Sequence, residues 1–132
     1  MLKIDLANEA LSAVLPQKAT AQSLAALIQN ALDANLDRRP ILITATGTGS
    51  ELRIAVRDQG HGMPGNVLRR IAEPFFTTKE PGKGMGLGTF LVRTFAERLG
   101  GRVLFDSVPG EGTTVTLELP LQSSEPGAHA TI

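Results

Sequence analysis

The stretch EPFFTTKEPGKGMGLGTFLV, residues 73–92, holds the residue types and spacing that point most directly to chemistry. Glycine occupies every second position from Gly82 to Gly88, and an apolar pattern typical of a helix follows. Glycines at a helix start leave backbone N–H groups unobstructed, and the helix terminus adds a partial positive charge of about +0.5. The stretch therefore predicts a site for an anion such as a polyphosphate. A surface loop before an ordinary helix explains the glycine run alone equally well.

Two common phosphate-binding patterns do not fit this stretch. The Walker pattern fails because Thr77 stands at its first glycine and Gly84 stands where a hydroxyl residue is required. The dinucleotide-binding pattern fails because Leu87 or Thr89 stands at its last glycine. The expected anion site is therefore of another type.

Two further features offer groups that could bind a ligand. Asp58 follows a strand pattern and precedes Gly60 and Gly62, and its carboxylate could accept a hydrogen bond from an exocyclic amine such as that of adenine. An ordinary turn is the better interpretation of that segment taken alone. Asn30 lies at the rim of a predicted helix, where its amide oxygen would suit Mg²⁺. A surface asparagine without a specific role is the usual case.

The elements that must position these residues follow from the apolar periodicity. LKIDLA alternates like a strand, and a helix is predicted from Thr20, as its N-cap, with an apolar stripe formed by Leu24, Leu27, Ile28, Ala31 and Leu32. PILITATG and ELRIAVRDQG predict adjacent strands, GNVLRRIA a short helix, and GTFLVRTFAERLGG a helix that stops at Gly-Gly. RVLFDSVPGEGTTVTLELP predicts a hairpin. This order predicts an α/β two-layer sandwich, a mixed β-sheet with helices packed on one face.

Composition narrows the classes of partner. The chain has 132 residues, 13 basic and 13 acidic side chains, and no cysteine. A balanced charge gives no reason to expect nucleic acid or direct membrane contact, and the lack of cysteine disfavours a structural zinc site. We expect one domain over residues 1–120 and a disordered polar tail over residues 121–132.

The motifs, taken in order, resemble a known family. QNALDA, DQGHGMP, EPFFTTKEPGKGMGLG and PGEGTTVTLELP resemble the N, G1, F, G2 and G3 boxes of the ATP-binding catalytic domain of sensor histidine kinases. The resemblance covers residues 23–120 and implies the Bergerat fold shared with gyrase, Hsp90 and MutL ATPases. Among the kinases, the F and G2 segments with LVRTFAERLGG look most like the redox-responding RegB, PrrB and RoxS group.

The resemblance implies ATP and Mg²⁺ as cofactors and gives a role to each matching residue. Asn30 would bind the Mg²⁺ that bridges the phosphates, and Asp58 would bind the adenine amine. Lys79 would reach the β or γ phosphate as a point charge, which makes it a catalytic candidate beside Asn30. The other residues expected to contact the nucleotide are Gly60, Gly62, Phe75, Phe76, Thr78, Gly84, Met85, Gly86, Leu87, Gly88 and Thr113, with Thr114 as a rival for the last role.

The same resemblance predicts a mobile lid and includes departures from the family pattern. Phe75 and Phe76 match the F box, which would anchor one end of the lid over the nucleotide. Ala26 stands where many relatives have a polar residue able to help at the phosphate, so a general base would come from elsewhere. Asp33 and Ala34 replace a lysine and an aromatic residue, so the lid is expected to supply the positive charge.

The implied function is transfer of the γ-phosphate of ATP to a histidine on a separate dimerisation domain. Neither His61 nor His129 precedes the acidic residue that follows such a histidine, so we expect the phosphoacceptor to lie outside this chain. The chain would then be the catalytic domain of a longer inner-membrane receptor, on its cytoplasmic side, acting on a response regulator indirectly. An anti-sigma-type serine kinase and a non-catalytic ATP-sensing module remain as alternatives.

Overall fold

The computed structural model describes residues 2–6, 15–35, 39–47, 50–76 and 87–120. Its elements in chain order are β1 (Leu2–Leu6), α1 (Gln17–Ala34), β2 (Ile41–Gly47), β3 (Glu51–Arg57), α2 (Gly65–Leu68), α3 (Gly88–Arg98), β4 (Arg102–Val108) and β5 (Gly112–Pro120). In this part of the chain, no helix combines the length and apolar character needed to cross a membrane.

The strands form one five-stranded sheet in the order β1-β2-β3-β5-β4. β1 runs parallel to β2, whereas the pairs β2–β3, β3–β5 and β4–β5 are antiparallel. The predicted mixed sheet is therefore confirmed. β5 lies between β3 and β4, so its pairing with β3 connects the second half of the chain to the first half within one sheet.

One face of the sheet carries the core. Alternate residues of β3, namely Leu52, Ile54 and Val56, are buried because successive side chains of a strand point to opposite faces. α1 and α3 contact each other and cover this face, so the predicted packing of helices on one side is confirmed. The buried apolar residues are Leu27, Ala31, Ile41, Leu52, Ile54, Val56, Val92, Phe95, Ala96, Leu99, Leu117 and Leu119.

The start of α1 corrects one prediction. The helix begins at Gln17 with Pro16 as its N-cap, and the Thr20 N–H donates to the Pro16 carbonyl at 2.9 Å. Thr20 is therefore an interior helix residue, and its prediction as the N-cap is wrong. Pro16 has a φ of −66°, and its carbonyl can accept the first helical hydrogen bond although proline has no N–H of its own.

The end of α3 confirms the predicted glycine stop. Gly100 has a φ of +79° and donates to the Glu97 carbonyl at 3.0 Å, while Gly101 donates to the Ala96 carbonyl at 2.8 Å. This pair of bonds is the Schellman pattern, which satisfies the last carbonyls of a helix. A Cβ atom on Gly101 would lie 2.1 Å from the Glu118 carbonyl oxygen, so the end of α3 packs directly on the β5 backbone.

An ion-pair row crosses the other face of the sheet. Glu118 of β5 is only 4% exposed and lies opposite Arg53 of β3 and Arg102 of β4. The Arg102 Nε donates to the Glu118 Oε1 at 2.6 Å, and the Arg53 Nη2 lies 2.7 Å from the Glu118 Oε2. The Arg102 hydrogen bond, aided by the charges of both arginines, holds the pKa of Glu118 below its ordinary value of 4.5 although burial opposes this shift.

Candidate functional site

Asp58 stands immediately after β3 and is held in place by backbone groups. Its Oδ1 accepts hydrogen bonds from the Gly60 N–H at 2.9 Å and the Thr113 N–H at 3.2 Å. Its own N–H donates to the Thr113 carbonyl at 2.9 Å. Asp58 is only 6% exposed, and these hydrogen bonds orient its carboxylate before any ligand arrives.

The glycines after Asp58 let the loop pack between two other elements. A Cβ atom on Gly60 would lie 2.2 Å from the carbonyl oxygen of Ala34, the last residue of α1. Gly62 has a φ of +70°, and a Cβ atom there would lie 2.1 Å from the Val108 carbonyl oxygen. Both glycines therefore have a packing role within the protein, and their predicted contact with a bound base stays a prediction.

The β4–β5 hairpin supplies hydroxyl groups beside this loop. Ser107 and Thr113 are paired across the two strands, and their hydroxyl oxygens lie 2.8 Å apart. The Ser107 Oγ also accepts from the Met63 N–H at 2.8 Å and donates to the Gly112 carbonyl at 3.1 Å. Thr113 thus lies beside Asp58, whereas its rival Thr114 is the next residue along the strand, opposite Asp106 of β4. The site role of either threonine remains a prediction.

Asn30 lies where α1 approaches the start of α3. A Cβ atom on Gly88, the first residue of α3, would lie 3.9 Å from the Asn30 Nδ2 and 3.7 Å from the Ala26 Cβ. The small side chain at Ala26 therefore lets the two helices come close at this point. An amide side chain next to the N–H groups of a helix start is a donor and acceptor set that fits a phosphate with its Mg²⁺.

The surroundings of Asn30 and of Asp58 are connected through α1. Ala34, which contacts Gly60, follows Asn30 by four residues, which is about one helical turn or roughly 6 Å along the axis. The fold therefore brings Asn30, Gly88, Gly60 and Asp58 to one region, and their roles toward a nucleotide stay predictions.

The F-box segment has one anchored phenylalanine. The Phe76 ring lies under the Arg70 guanidinium, with 4.6 Å from the guanidinium carbon to the ring centre. Phe75 is 68% exposed and has a φ of +65°, which is uncommon for a residue other than glycine. The Thr89 hydroxyl donates to the Ile71 carbonyl, so the first turn of α3 is tied to the chain just before this segment.

The remaining predicted site residues lie partly at the start of α3 and partly outside the described residues. Leu87 and Gly88 stand at the start of α3, as expected. Thr78, Lys79, Gly84, Met85 and Gly86 lie outside the described residues, so the predicted lid and the predicted role of Lys79 stay predictions.

One cavity lies near each end of the sheet. A cavity of about 320 Å³ is lined in part by Arg102 and Glu118 of the ion-pair row, and it lies at the opposite end of β3 from Asp58. A smaller cavity of about 220 Å³ lies at the end where β3 meets the hairpin. Its lining residues are Arg57, Asp58, Asp106, Ser107, Val108, Glu111, Gly112, Thr113 and Thr114. The smaller cavity is the one beside the predicted site.

Sequence reasoning missed Ser107 and Thr89 as parts of this region. Ser107 follows Val103 and Phe105 at alternate positions of β4, so a polar residue interrupts an otherwise apolar face. That interruption was a usable signal. Thr89 had no comparable signal, because its partner Ile71 lies 18 residues away in an irregular segment.

Comparison with known proteins agrees with the geometry. Residues 17–123 match the family described as histidine kinase-, DNA gyrase B-, and HSP90-like ATPase. Sensor histidine kinase ZraS of Escherichia coli K12 is 38% identical over 100 residues, which cover 76% of this chain and 21% of that protein. Sporulation kinase A of Bacillus subtilis 168 is 38% identical over 94 residues, covering 71% of this chain and 15% of that protein.

A solved structure gives the same result for the fold. The nucleotide-free catalytic domain of histidine kinase ThkA superposes with a TM-score of 0.80 at 28% identity, covering 91% of this chain and 79% of that one. The chain thus corresponds to a small part of each full-length kinase and to most of an isolated catalytic domain. It belongs to the histidine kinase-, DNA gyrase B-, and HSP90-like ATPase family, as an ATP-binding catalytic domain of the kind found in sensor histidine kinases.

Proposed function

We propose that this domain binds Mg-ATP and transfers its γ-phosphate to a histidine on the dimerisation domain of the same kinase. The observation that carries the proposal is the approach of Asn30 to the first residue of α3, where a Cβ atom on Gly88 would lie 3.9 Å from the Asn30 Nδ2. An amide oxygen suits Mg²⁺, and the N–H groups of a helix start suit phosphate. The family match over residues 17–123 supports the same assignment.

The residues divide the work of binding between two ends of the site. The Asp58 carboxylate, oriented by Gly60 and Thr113, would accept the adenine amine. Asn30 would hold Mg²⁺, which when bound neutralises charge on the transferring phosphate. The chain itself would contribute orientation and backbone donors, with Lys79 adding a positive charge from the lid.

The wider setting follows from the resemblance. We assign residues 1–120 to the catalytic domain and residues 121–132 to a tail outside it. The partners would be the dimerisation domain directly and a response regulator indirectly. On the F and G2 segments together with LVRTFAERLGG we place the domain nearest the redox-responding RegB, PrrB and RoxS group, on the cytoplasmic side of an inner-membrane receptor.

The direct test is phosphotransfer between separate domains. The purified domain is mixed with γ-labelled ATP, Mg²⁺ and the separately expressed dimerisation domain of its kinase, and the labelled protein is treated with acid and with base. We expect label on the dimerisation domain that is labile in acid and stable in base. Asn30→Ala should lower the transfer rate at least about tenfold, because the metal would lose its protein ligand.

Gln29→Ala is the matched control for Asn30→Ala. Gln29 is an exposed amide on the same helix, and its Nε2 donates to the Asp33 Oδ1 at 2.8 Å. Its loss should leave transfer unchanged. Acid-stable label on serine would instead indicate a serine kinase of the anti-sigma type. ATP binding without transfer would indicate an ATP-sensing module, and a failure to bind ATP would overturn the proposal as a whole.

A further inference from the structure

The Ser107 hydroxyl has three polar neighbours, and their chemistry fixes the position of its hydrogen. The Met63 N–H can only donate, so Ser107 accepts there over 2.8 Å. The Gly112 carbonyl can only accept, so Ser107 donates there over 3.1 Å. The Thr113 hydroxyl, 2.8 Å away, can do either.

Only one arrangement satisfies all three contacts. A serine hydroxyl has one hydrogen and two lone pairs. If Ser107 gives its hydrogen to the Gly112 carbonyl, the Thr113 hydroxyl must donate to Ser107. The hydrogen and both lone pairs of the Ser107 hydroxyl are then each used once. If Ser107 gave its hydrogen to Thr113, the Gly112 carbonyl would lose this donor.

The arrangement determines what Thr113 can offer a ligand. Because its hydroxyl hydrogen points to Ser107, only the lone pairs of the Thr113 Oγ1 remain, and these accept hydrogen bonds. Asp58, whose Oδ1 accepts from the Thr113 N–H at 3.2 Å, is also an acceptor when ionised. The two side chains at this end of the site therefore present acceptors together.

We propose that Ser107 is a specificity-determining positioning residue, which fixes the Thr113 hydroxyl as an acceptor and so favours a 6-amino purine nucleotide over a 6-oxo purine nucleotide. The inference rests on the proposed function, which brings adenine to Asp58. An exocyclic amine donates to both acceptors, whereas a 6-oxo group would place a third acceptor against them. Ser107 acts through Thr113 and need not touch the ligand.

The test compares two nucleotides that share the triphosphate and differ at the 6 position of the base. Dissociation constants for ATP and inosine triphosphate are measured with the wild-type protein and with Ser107→Ala. The wild type should prefer ATP. In Ser107→Ala the Thr113 hydroxyl can rotate and donate to a 6-oxo group, so the ratio of the inosine triphosphate constant to the ATP constant should fall at least about threefold, the size of one hydrogen bond.

The ratio separates this role from a general loss of folding. Unfolded molecules bind neither nucleotide, so partial unfolding weakens both equally and leaves the ratio unchanged. Ser107→Cys provides the second variant if Ser107→Ala folds poorly, since a thiol has nearly the same shape and is a weak hydrogen-bonding group. Ser107→Thr keeps the hydroxyl and should restore the wild-type ratio.

Thr116→Val is the control on the same hairpin. Thr116 lies on β5 opposite Leu104 and Ala55, three residues beyond Thr113, so loss of its hydroxyl should not alter the ratio. An unchanged ratio in folded Ser107→Ala or Ser107→Cys, with ATP still bound by the wild type, would overturn this inference and leave the proposed function intact. A wild-type protein that binds no ATP would overturn the proposed function first.

Discussion

Gly62 and Gly110 share a backbone conformation but differ in their surroundings. Gly62 has a φ of +70° and Gly110 has a φ of +82°, and residues other than glycine rarely adopt this backbone conformation. A Cβ atom on Gly62 would lie 2.1 Å from the Val108 carbonyl oxygen, whereas one on Gly110 would meet nothing within 4 Å. The pair therefore separates backbone strain from steric overlap.

We expect Gly62→Ala to destabilise the domain much more than Gly110→Ala. Gly110→Ala should cost about 1–2 kcal/mol of unfolding free energy, which is the strain of a left-handed conformation. Gly62→Ala adds overlap with the Val108 backbone and should cost about 2–5 kcal/mol. Urea unfolding of both variants measures the difference. Equal losses would mean that the hairpin moves away without cost.

The choice between Thr113 and Thr114 shows why some single residues are hard to assign from sequence. A hairpin predicted around PGEG does not specify which residue of one strand faces which of the other. The structure starts β5 at Gly112, which pairs Ser107 with Thr113. A register shifted by one residue would turn the other threonine toward Ser107. The hairpin pattern therefore predicted the two strands but could not by itself decide between the two threonines, and only the family resemblance favoured Thr113.

The helix α1 joins the core and the site within a single element. Its residue Leu27 is 2% exposed and packs in the core, while Leu32 is 50% exposed. The sequence placed both leucines in one apolar stripe, because helical spacing gives the direction of a side chain but not where the covering layer ends. The predicted apolar stripe therefore holds at Leu27, which is buried, but it extends too far at Leu32, which is half exposed.

This difference gives a prediction for the helix. Leu27→Ala should lower the free energy of unfolding by about 2–5 kcal/mol, because it removes buried apolar atoms and leaves a cavity. Leu32→Ala, on the exposed side of the same helix, should change it by less than about 1 kcal/mol. Thermal or urea unfolding of the two variants tests the contrast. A large loss for Leu32→Ala would show that this leucine is covered in solution.

Across the whole molecule, the sheet joins distant parts of the sequence. Arg53, Arg102 and Glu118 form one row only because β5 is inserted between β3 and β4. Local patterns predicted each strand and the hairpin, and from these the fold class. They could not predict that β3 pairs with the edge of β5 opposite the hairpin, because that pairing depends on how the layers pack.

The ion-pair row predicts how stability changes with pH. The pKa of Glu118 is lower in the folded protein than its ordinary value of 4.5, because the arginines favour the ionised carboxylate. The free energy of unfolding that the ionised Glu118 adds is therefore fully present above pH 4.5 and is lost as pH falls through the folded pKa. Glu118→Gln should therefore be less stable than the wild type at neutral pH, and the difference should shrink in acid below pH 4.5. Urea unfolding from neutral pH to strong acid measures this.

Glu97→Gln is the control for Glu118→Gln. The Glu97 side chain is 64% exposed and lies 3.8 Å from the Arg93 Nε on the surface of α3, so its removal should have little effect at any pH. A difference between Glu118→Gln and wild type that stays constant with pH would contradict the proposed electrostatic cause.

The tight contacts of Gly60 and Gly62 have a consequence for how such sequences evolve. Both glycines are required by neighbouring backbone, whether or not a nucleotide is ever bound. A descendant that lost catalysis would still be under selection to keep them, since their replacement would disturb the fold. In diverged relatives, intact glycines at these two positions would therefore record ancestry rather than activity.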